Sequence, residues 1–479
     1  MGDTDHRKII SGIGWTYGEK TLAQGISLIV SIILARLLDP TDYGIVAIVM
    51  VFISFLDAFI TGGFGNALVQ KKDADELDFN TICWFSIAVS FVLYGLLYFI
   101  APYISGFYQM EQLTVIIRVM GIKVIISAFN SVQHAYVQRH MAFKKFFFST
   151  LGGTLVSAVC GIAMAYMGYG VWALAAQYMI NAIIDTIILR ITISWKPKME
   201  WSTTRLKSMA GFGLKMLGAT LVNTLQDNIR SLVIGKVFSK EDLAYYNQGK
   251  KYPSTLMNNL VGSMQKVMFP ALSEQQQDRD LIRNMMRKSI RISSFIIAPV
   301  VLGMIAVADT FILLFLTEKW APAIPYLRIL SLIYLTRTLN SIFQSSLLAI
   351  GESGANLFHE IVGSVLSLAL VCVGAFVFKS TLFIAWSYVA VMAIGTGIFI
   401  WFVSKCFGYT IGEIIADYVP FLLLSAVMGI LVFLIGRIHI NRAVLLITQF
   451  GAGLFIYFGM AKGLKIRELD TLREMLKKQ

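Results

Sequence analysis

The chain has 479 residues, of which 57% are apolar and 14% charged, and its formal net charge is +13. Soluble globular chains average about 25% charged residues, so this composition excludes an ordinary soluble protein and indicates one that crosses a membrane many times. The positive charge does not indicate nucleic-acid binding, because most basic residues fall in short loops between apolar segments.

Apolar segments of about 20 residues, the length that crosses a bilayer as a helix, recur along the whole chain. They predict an all-α polytopic membrane protein with about fourteen transmembrane helices. In chain order these spans are 11–36, 42–68, 79–104, 112–137, 145–167, 170–194, 209–237, 242–272, 291–317, 321–350, 355–378, 380–407, 411–436 and 441–462. Two connections, MGYGVW and FKSTLF, are tight enough that twelve or thirteen spans are alternatives.

The loops differ strongly in charge according to the side of the membrane on which they fall. Those on the side of the termini hold 24 Lys and Arg residues, whereas the opposite loops hold seven. By the positive-inside rule, both termini are predicted to be cytoplasmic. The remaining ten basic residues lie within the spans themselves.

The first six spans resemble the next six. The segment from Gly12 is similar to that from Gly211, with Arg36 aligned to Lys236, and a second match aligns Gln133 with Gln344. Two parallel bundles of this kind are a transporter architecture with substrate handled between the halves. The predicted organisation is an N-terminal lobe at 1–195, a cytoplasmic linker at 196–208, a C-terminal lobe at 209–407, two further spans within 408–462 and a cytoplasmic amphipathic tail at 463–479, for which a solvated tail is the alternative.

Spans 1, 4, 7, 8 and 10 each carry polar residues on one face at helical spacing. A helix surrounded by lipid does not tolerate such a face, so these faces point at one another or at water. The candidate substrate-binding residues on them are Lys20, Lys123, Asn130, His134, Asn223, Arg230, Lys250, Lys251, Lys266, Arg337 and Gln344.

Ten bases within the spans face only six acids, namely Glu19, Asp57, Asp185, Asp227, Asp309 and Glu360. An unpaired cation in a dry core is costly, and a water-filled cavity that receives an anion removes that cost. The sequence therefore predicts a cationic central cavity for an anionic substrate. The alternative is a set of structural ion pairs, such as Asp227 with Arg230. For Arg118, Lys215 and Arg328, reaching the lipid headgroups is the favoured interpretation.

Nothing in the sequence predicts a metal site, a cofactor or a catalytic centre. The four cysteines lie in or beside apolar segments, where they are expected to be small buried residues. The five histidines show no metal-ligand spacing. The chain is therefore not expected to be an enzyme.

Four segments carry a family resemblance that extends over essentially the whole chain. They are ISGIGWTYGEKTLAQGISLIVSIILARLLDPTDYGIVAI near the start, GGFGNALVQKKD at 62–73, KVMFPALSEQQQD at 266–278 and LTEKWAPAIPYLRILSL at 316–332. These segments resemble the Wzx and TuaB-type polysaccharide flippases of the MOP (multidrug/oligosaccharidyl-lipid/polysaccharide) superfamily.

The resemblance implies two six-helix lobes and two extra helices around a cationic cavity. It implies alternating access, in which an undecaprenyl-diphosphate-type lipid-linked oligosaccharide moves from the inner to the outer leaflet of the bacterial cytoplasmic membrane for export of surface polysaccharide. Arginine and lysine suit a diphosphate. The implied partners are this lipid, membrane lipids and the polysaccharide assembly machinery, with the protein acting as a monomer.

The resemblance also raises coupling to a proton or sodium gradient, which drug-exporting relatives use. Glu19, Asp57 and Asp227 are the candidate ion carriers, although the same acids equally serve to neutralise Lys20 and Arg230. The alternative function is a multidrug antiporter of the same fold, which is expected to have a net acidic cavity. A membrane polymerase or ligase is disfavoured by the short outer loops, and a scaffold leaves the polar faces unexplained.

Overall fold

The computed structural model describes residues 22–71 and 73–470, without the side chains of residues 259, 263, 264, 266 and 267. Five predicted features therefore lie outside the described residues. They are the first part of the span 11–36 (residues 11–21), Glu19, Lys20, the side chain of Lys266 and the end of the tail at 471–479.

Over these ranges the chain forms fourteen long helices, and no strand is present in them. The helices are α1 (22–37), α2 (Pro40–Gln70), α3 (Glu76–Tyr108), α4 (Gln112–Arg139), α5 (Phe143–Tyr166), α6 (Val171–Thr192), α7 (Thr203–Val237), α8 (Lys240–Ser273), α9 (Arg279–Phe315), α10 (Ile324–Ala349), α11 (Ser353–Val377), α12 (Thr381–Phe407), α13 (Ile411–Ile435) and α14 (Arg442–Gly463). Each corresponds to one predicted span.

Several helix ends follow from local sequence chemistry. Helix α2 starts with Pro40 at its first position, where the missing N–H costs no hydrogen bond. Asp75 caps α3 by accepting a hydrogen bond from the Asp78 backbone N–H at 3.0 Å. Gly408 ends α12 in the left-handed conformation that glycine adopts without steric cost.

The largest error in the predicted ends concerns α9. The basic stretch 279–291 was predicted to be a loop, but it is helical and extends α9 by twelve residues at its start. Ile282, Met286 and Ile290 recur every four residues along it and are fully buried in an apolar cluster. This stretch is therefore an amphipathic extension of a membrane helix.

Ten of the described helices are long and apolar enough to cross a membrane: α2 to α6, α9 and α11 to α14. Large apolar side chains on them are exposed to the surroundings, such as Phe99 at 73% and Phe455 at 83%. Helices α7, α8 and α10 are as long but less apolar, and each carries a predicted polar face. The protein is an all-α, multi-span membrane protein, and the exact number of spans stays a prediction.

The helices pack into two compact units, residues 1–244 and 245–479. In the first, α5 packs on α6, α3 on α4, and α7 on α2. The predicted linker is fixed to α3 in this unit, because Trp84 donates to the Lys198 carbonyl and Asn80 to the Glu200 carboxylate. In the second, α9 packs on α10 and α13, and α12 on α10. The predicted lobes depend on the internal repeat rather than on packing, so their bounds stay a prediction.

A candidate substrate site on helix α4

The predicted polar face of α4 lines a cavity within the first unit. Lys123, Ser127, Asn130 and His134 follow one another at intervals of three or four residues, which places them on one side of the helix. The cavity has a volume of about 230 Å³, and its lining includes Thr61, Asn66, Ser127, Asn130, His134 and Gln138. A membrane-spanning bundle therefore has hydroxyl, amide and imidazole groups along one internal face.

Lys123 is held by an acid from the neighbouring helix. Its Nζ lies 2.7 Å from Asp57 Oδ2 on α2, and both side chains are largely buried. The two charges compensate each other, so Lys123 is not part of a cation surplus in this state. This pair is one of the structural ion pairs that the sequence analysis kept as an alternative.

Asn130 and His134 share a second acid, Asp185 on α6. Asn130 Nδ2 donates to Asp185 Oδ2 at 2.6 Å, and His134 Nε2 lies 3.2 Å from the same oxygen. The His134 ring also packs on Phe146, with ring centroids 4.6 Å apart. Asp185 was counted among the available acids but was not predicted as a site residue. The sequence feature that could have identified Asp185 is an acidic residue within an otherwise apolar span.

Glycines allow α2 to approach its neighbours beside this cavity. The segment Thr61–Gly65 is a π-helical turn, a distortion that is frequent at functional sites. A Cβ on Gly65 would lie 3.0 Å from the Ser131 hydroxyl oxygen, and one on Gly62 would lie 2.7 Å from Thr220 Cγ2. The glycines in the quoted GGFGN segment therefore set the distances from α2 to α4 and α7.

Three carboxylate or amide oxygens of these residues are buried without a hydrogen-bond partner among the described residues: Asp57 Oδ1, Asn130 Oδ1 and Asp185 Oδ1. Buried acceptors are normally paired, because an unsatisfied one costs about 1–3 kcal/mol. A ligand that donates hydrogen bonds, such as a sugar hydroxyl, satisfies such atoms. The α4 face thus suits a hydroxylated ligand.

The candidates on α7 and α8 lie in different environments. On α7, Asn223 and Asp227 are exposed, whereas Arg230 is only 4% exposed. Lys250 and Lys251 on α8 are half-buried. Arg230 lies on a helix that also touches α2 through a hydrogen bond from Asn228 Nδ2 to the Ser54 hydroxyl at 3.3 Å.

A further polar face runs along α10 in the second unit. Arg337 is exposed, its guanidinium lies 5.8 Å from the Tyr334 ring centroid, and within the described residues no carboxylate forms an ion pair with it. One turn on, the buried Asn340 amide has no hydrogen-bond partner in the described part of the chain. Gln344 donates to the Asn356 side chain. Arg337 is therefore a cation available to an anionic ligand.

The cations predicted to reach headgroups have protein contacts in two of three cases. Arg118 lies over the Tyr98 ring, 4.2 Å from its centroid, and donates to the Tyr98 carbonyl at 3.4 Å. Arg328 pairs with Asp309. Lys215 is exposed. Together with the Lys123 pair, the Arg328 pair engages two of the six predicted acids with two of the ten bases, which leaves the predicted excess of bases unchanged.

No set of three or more His, Cys, Asp or Glu side chains within 22–71 and 73–470 is placed to hold a metal ion. The four cysteines are free thiols, and Cys83 is buried.

These helices and internal polar faces define a polytopic membrane protein with polar groups along a cavity of its first unit. A family model described as "Polysaccharide biosynthesis protein" matches residues 33–325. This match covers more than half of the chain, which therefore belongs to that family.

Individual proteins show the same relationship. The "Teichuronic acid biosynthesis protein TuaB" of Bacillus subtilis (strain 168) is 26% identical over 441 residues, which cover 89% of each chain. The predicted resemblance to TuaB-type proteins is thereby confirmed.

Solved structures share the fold at low sequence identity. "Lipid II flippase MurJ, inward closed conformation" matches with a TM-score of 0.73 at 14% identity, covering 96% of this chain and 99% of that one. An inward-facing multidrug resistance MATE family transporter of the MOP superfamily matches with a TM-score of 0.64 at 15% identity, covering 80% and 95%. The predicted fold class, an all-α polytopic membrane protein, is confirmed.

Proposed function

We propose that the protein is a flippase that moves a lipid-linked oligosaccharide, of the undecaprenyl-diphosphate type, across the membrane for export of a surface polysaccharide. The family supports a role in polysaccharide biosynthesis, and the fold is that of proteins named as a flippase and a transporter. The single observation that carries the proposal is the α4 face, where polar groups line a cavity inside a membrane-spanning unit.

Each of the two described faces, taken by itself, suits one kind of chemical group in such a substrate. The unsatisfied acceptors Asp57 Oδ1 and Asn130 Oδ1 suit sugar hydroxyl donors. On α10, the exposed guanidinium of Arg337 suits phosphate oxygens, which arginine binds through two parallel N–H groups. The relatives are named for polysaccharide biosynthesis or flipping rather than for catalysis, in agreement with the expectation that the chain is not an enzyme.

A multidrug antiporter is the alternative function, and the MATE match shows that the fold allows it. A cationic drug requires a free carboxylate in the binding cavity. In the first unit, however, Asp57 is neutralised by Lys123, and Asp185 is bonded to Asn130 and His134. The family match, and the engagement of both acids by neighbouring side chains, therefore favour the flippase.

We propose coupling to a proton or sodium gradient, with no other cofactor. Asp57 and Asp227 are the candidate carriers among the described residues. Protonation of Asp57 would release Lys123, 2.7 Å away, and make it available to a substrate phosphate. Such a step links ion binding to substrate binding.

The proposed location is the bacterial cytoplasmic membrane, with both termini in the cytoplasm as the loop charges indicate. The proposed partners are the lipid-linked oligosaccharide, membrane lipids and the polysaccharide assembly machinery, and the proposed functional unit is a monomer.

The proposal is tested by polymer export in cells whose own copy is deleted and replaced by variants. Arg337→Gln removes the available cation of α10, and we expect export to fall at least about tenfold, since a charge-assisted bond to phosphate contributes on the order of 1.5–3 kcal/mol. Lys215→Gln makes the same charge change at an exposed position of α7 and should leave export unchanged. Equal membrane levels establish that both variants insert, and normal export by Arg337→Gln contradicts the assigned role.

A further inference from the structure

A second and larger cavity lies in the second unit. It has a volume of about 700 Å³ and is bounded by the start of α9, the first half of α13 and the segment 464–468 that follows α14. Five basic residues line it: Arg287, Lys288, Arg291, Lys465 and Arg467. Among the lining residues that the structure describes, two are acids, Asp417 and Glu468. The cavity is therefore strongly positive.

The two acids are committed to fixing the arginines. Asp417 is almost completely buried and accepts hydrogen bonds from Arg287 Nε at 2.7 Å and from the Tyr409 hydroxyl at 2.9 Å. Glu468 accepts from Arg291 Nε at 2.5 Å. Because each acid is bonded to an arginine, the guanidinium groups are held in place at the cavity wall. Such pre-organisation lowers the entropic cost of binding an anion.

The two lysines are exposed at the same cavity, and no carboxylate within the described residues forms an ion pair with either of them. Lys288 lies on the α9 extension, which also carries Arg283, Arg287 and Arg291. Lys465 has a φ of +52°, a left-handed conformation that lies between the end of α14 and the segment that lines the cavity. Their charges are available to a ligand in addition to those of the fixed arginines.

The wall also has an apolar part. Pro420, Phe421 and Leu464 line the cavity, and the Leu464 side chain is 69% exposed. Ile466 and Leu469 pack onto the cluster of Phe421 and Phe295, which holds the segment after α14 against the helices. A cavity with a basic wall and an apolar rim at the end of membrane helices suits an amphipathic anion.

We propose that this cavity binds a phosphate-bearing group. The two sources of that chemistry are the headgroup of an anionic phospholipid and free inorganic phosphate, and the apolar rim favours the lipid. The site is separate from the proposed substrate site and does not depend on the proposed function.

Binding is tested by calorimetry on the purified full-length chain in a neutral detergent, with two probes, dihexanoyl phosphatidylglycerol and inorganic phosphate. The double variant Lys288→Gln/Lys465→Gln removes two cavity charges without touching the arginine ion pairs. We expect it to bind the short-chain lipid roughly 30-fold more weakly than the wild type. The control Lys405→Gln/Lys462→Gln makes the same charge change at exposed lysines that do not line the cavity, and should retain wild-type affinity.

Each outcome of this experiment either supports or overturns the proposed phosphate site. Cavity-dependent binding of the lipid alone identifies a headgroup site, and cavity-dependent binding of inorganic phosphate identifies a soluble phosphate site. Three results overturn the proposal: a wild type that binds neither probe, a cavity variant with unchanged affinity, or a control that loses as much affinity as the cavity variant. Equal unfolding temperatures of the three proteins confirm that the variants are folded.

Discussion

Lys123 Nζ on α4 lies 2.7 Å from Asp57 Oδ2 on α2, and this ion pair joins two helices of the first unit beside the candidate substrate cavity. Lys123 was predicted to be a substrate ligand and Asp57 an ion carrier. The structure joins the two in one ion pair. Its two opposite charges compensate each other.

Removing one member of this pair should destabilise the protein more than removing both. Lys123→Met leaves the Asp57 carboxylate largely buried without its cation, and breaking a buried pair costs up to about 3–5 kcal/mol. The double variant Asp57→Asn/Lys123→Met carries no uncompensated charge and should regain much of that stability. Thermal unfolding of the wild type, both single variants and the double variant gives the coupling free energy. Additive effects of the two substitutions would show that the contact does not matter energetically.

A methyl group at Gly62 should force α2 and α7 apart. Its Cβ would lie 2.7 Å from Thr220 Cγ2, closer than real contacts allow, and overpacking of this kind costs about 1–3 kcal/mol. Gly218→Ala on α7 is the matched control, because a Cβ there meets nothing within 4 Å. It should stabilise the helix by up to about 1 kcal/mol. Unfolding temperatures measured side by side test the expected decrease for Gly62→Ala and the expected increase for Gly218→Ala. An unchanged unfolding temperature for Gly62→Ala would rule out the close packing of α2 and α7.

The Asp75 cap of α3 should make the stability of the fold depend on pH. Slight burial opposes ionisation of Asp75, but the Asp78 backbone N–H and the Arg205 guanidinium at 3.0 Å outweigh it and hold the pKa of Asp75 below its usual range. A carboxyl with a lowered pKa in the folded state stabilises the fold above about pH 4, and that stabilisation is lost as the pH falls further.

The test of this cap is Asp75→Asn, which keeps an oxygen acceptor for the Asp78 N–H but loses the charge. The wild type should be more stable than the variant at neutral pH, by less than about 1 kcal/mol because the ion pair is exposed, and the two should converge on acidification. Unfolding midpoints between pH 7 and pH 3 measure the difference. A difference that stays constant over this range would exclude the charge as its source.

How far the fold could be predicted depended on periodicity. Spans such as 112–137 and 411–436 are apolar and bounded by polar residues, so their helices end within one or two residues of the prediction. The start of α9 was placed twelve residues too late because basic residues were taken as evidence of a loop. Its arginines recur every four residues between buried apolar positions, so the helical pattern was present in the sequence.

The candidate site could be predicted only in part. The face of Lys123, Ser127, Asn130 and His134 follows from spacing along one helix. Its partners Asp57 and Asp185 are 66 residues before Lys123 and 55 residues after Asn130. Helical spacing gives no information on which distant helices pack together, so the compensation of Lys123 could not be inferred from the sequence.

The central claim, that the protein moves a lipid-linked oligosaccharide between leaflets, is tested most directly in proteoliposomes. The purified chain is reconstituted with a labelled undecaprenyl-diphosphate oligosaccharide, and the label accessible from outside is followed after an ion gradient is imposed. We predict time-dependent movement of the label by the wild type and at least about tenfold slower movement by Arg337→Gln. Wild-type vesicles that leave the label in place while they transport a cationic drug would contradict the account and support the antiporter.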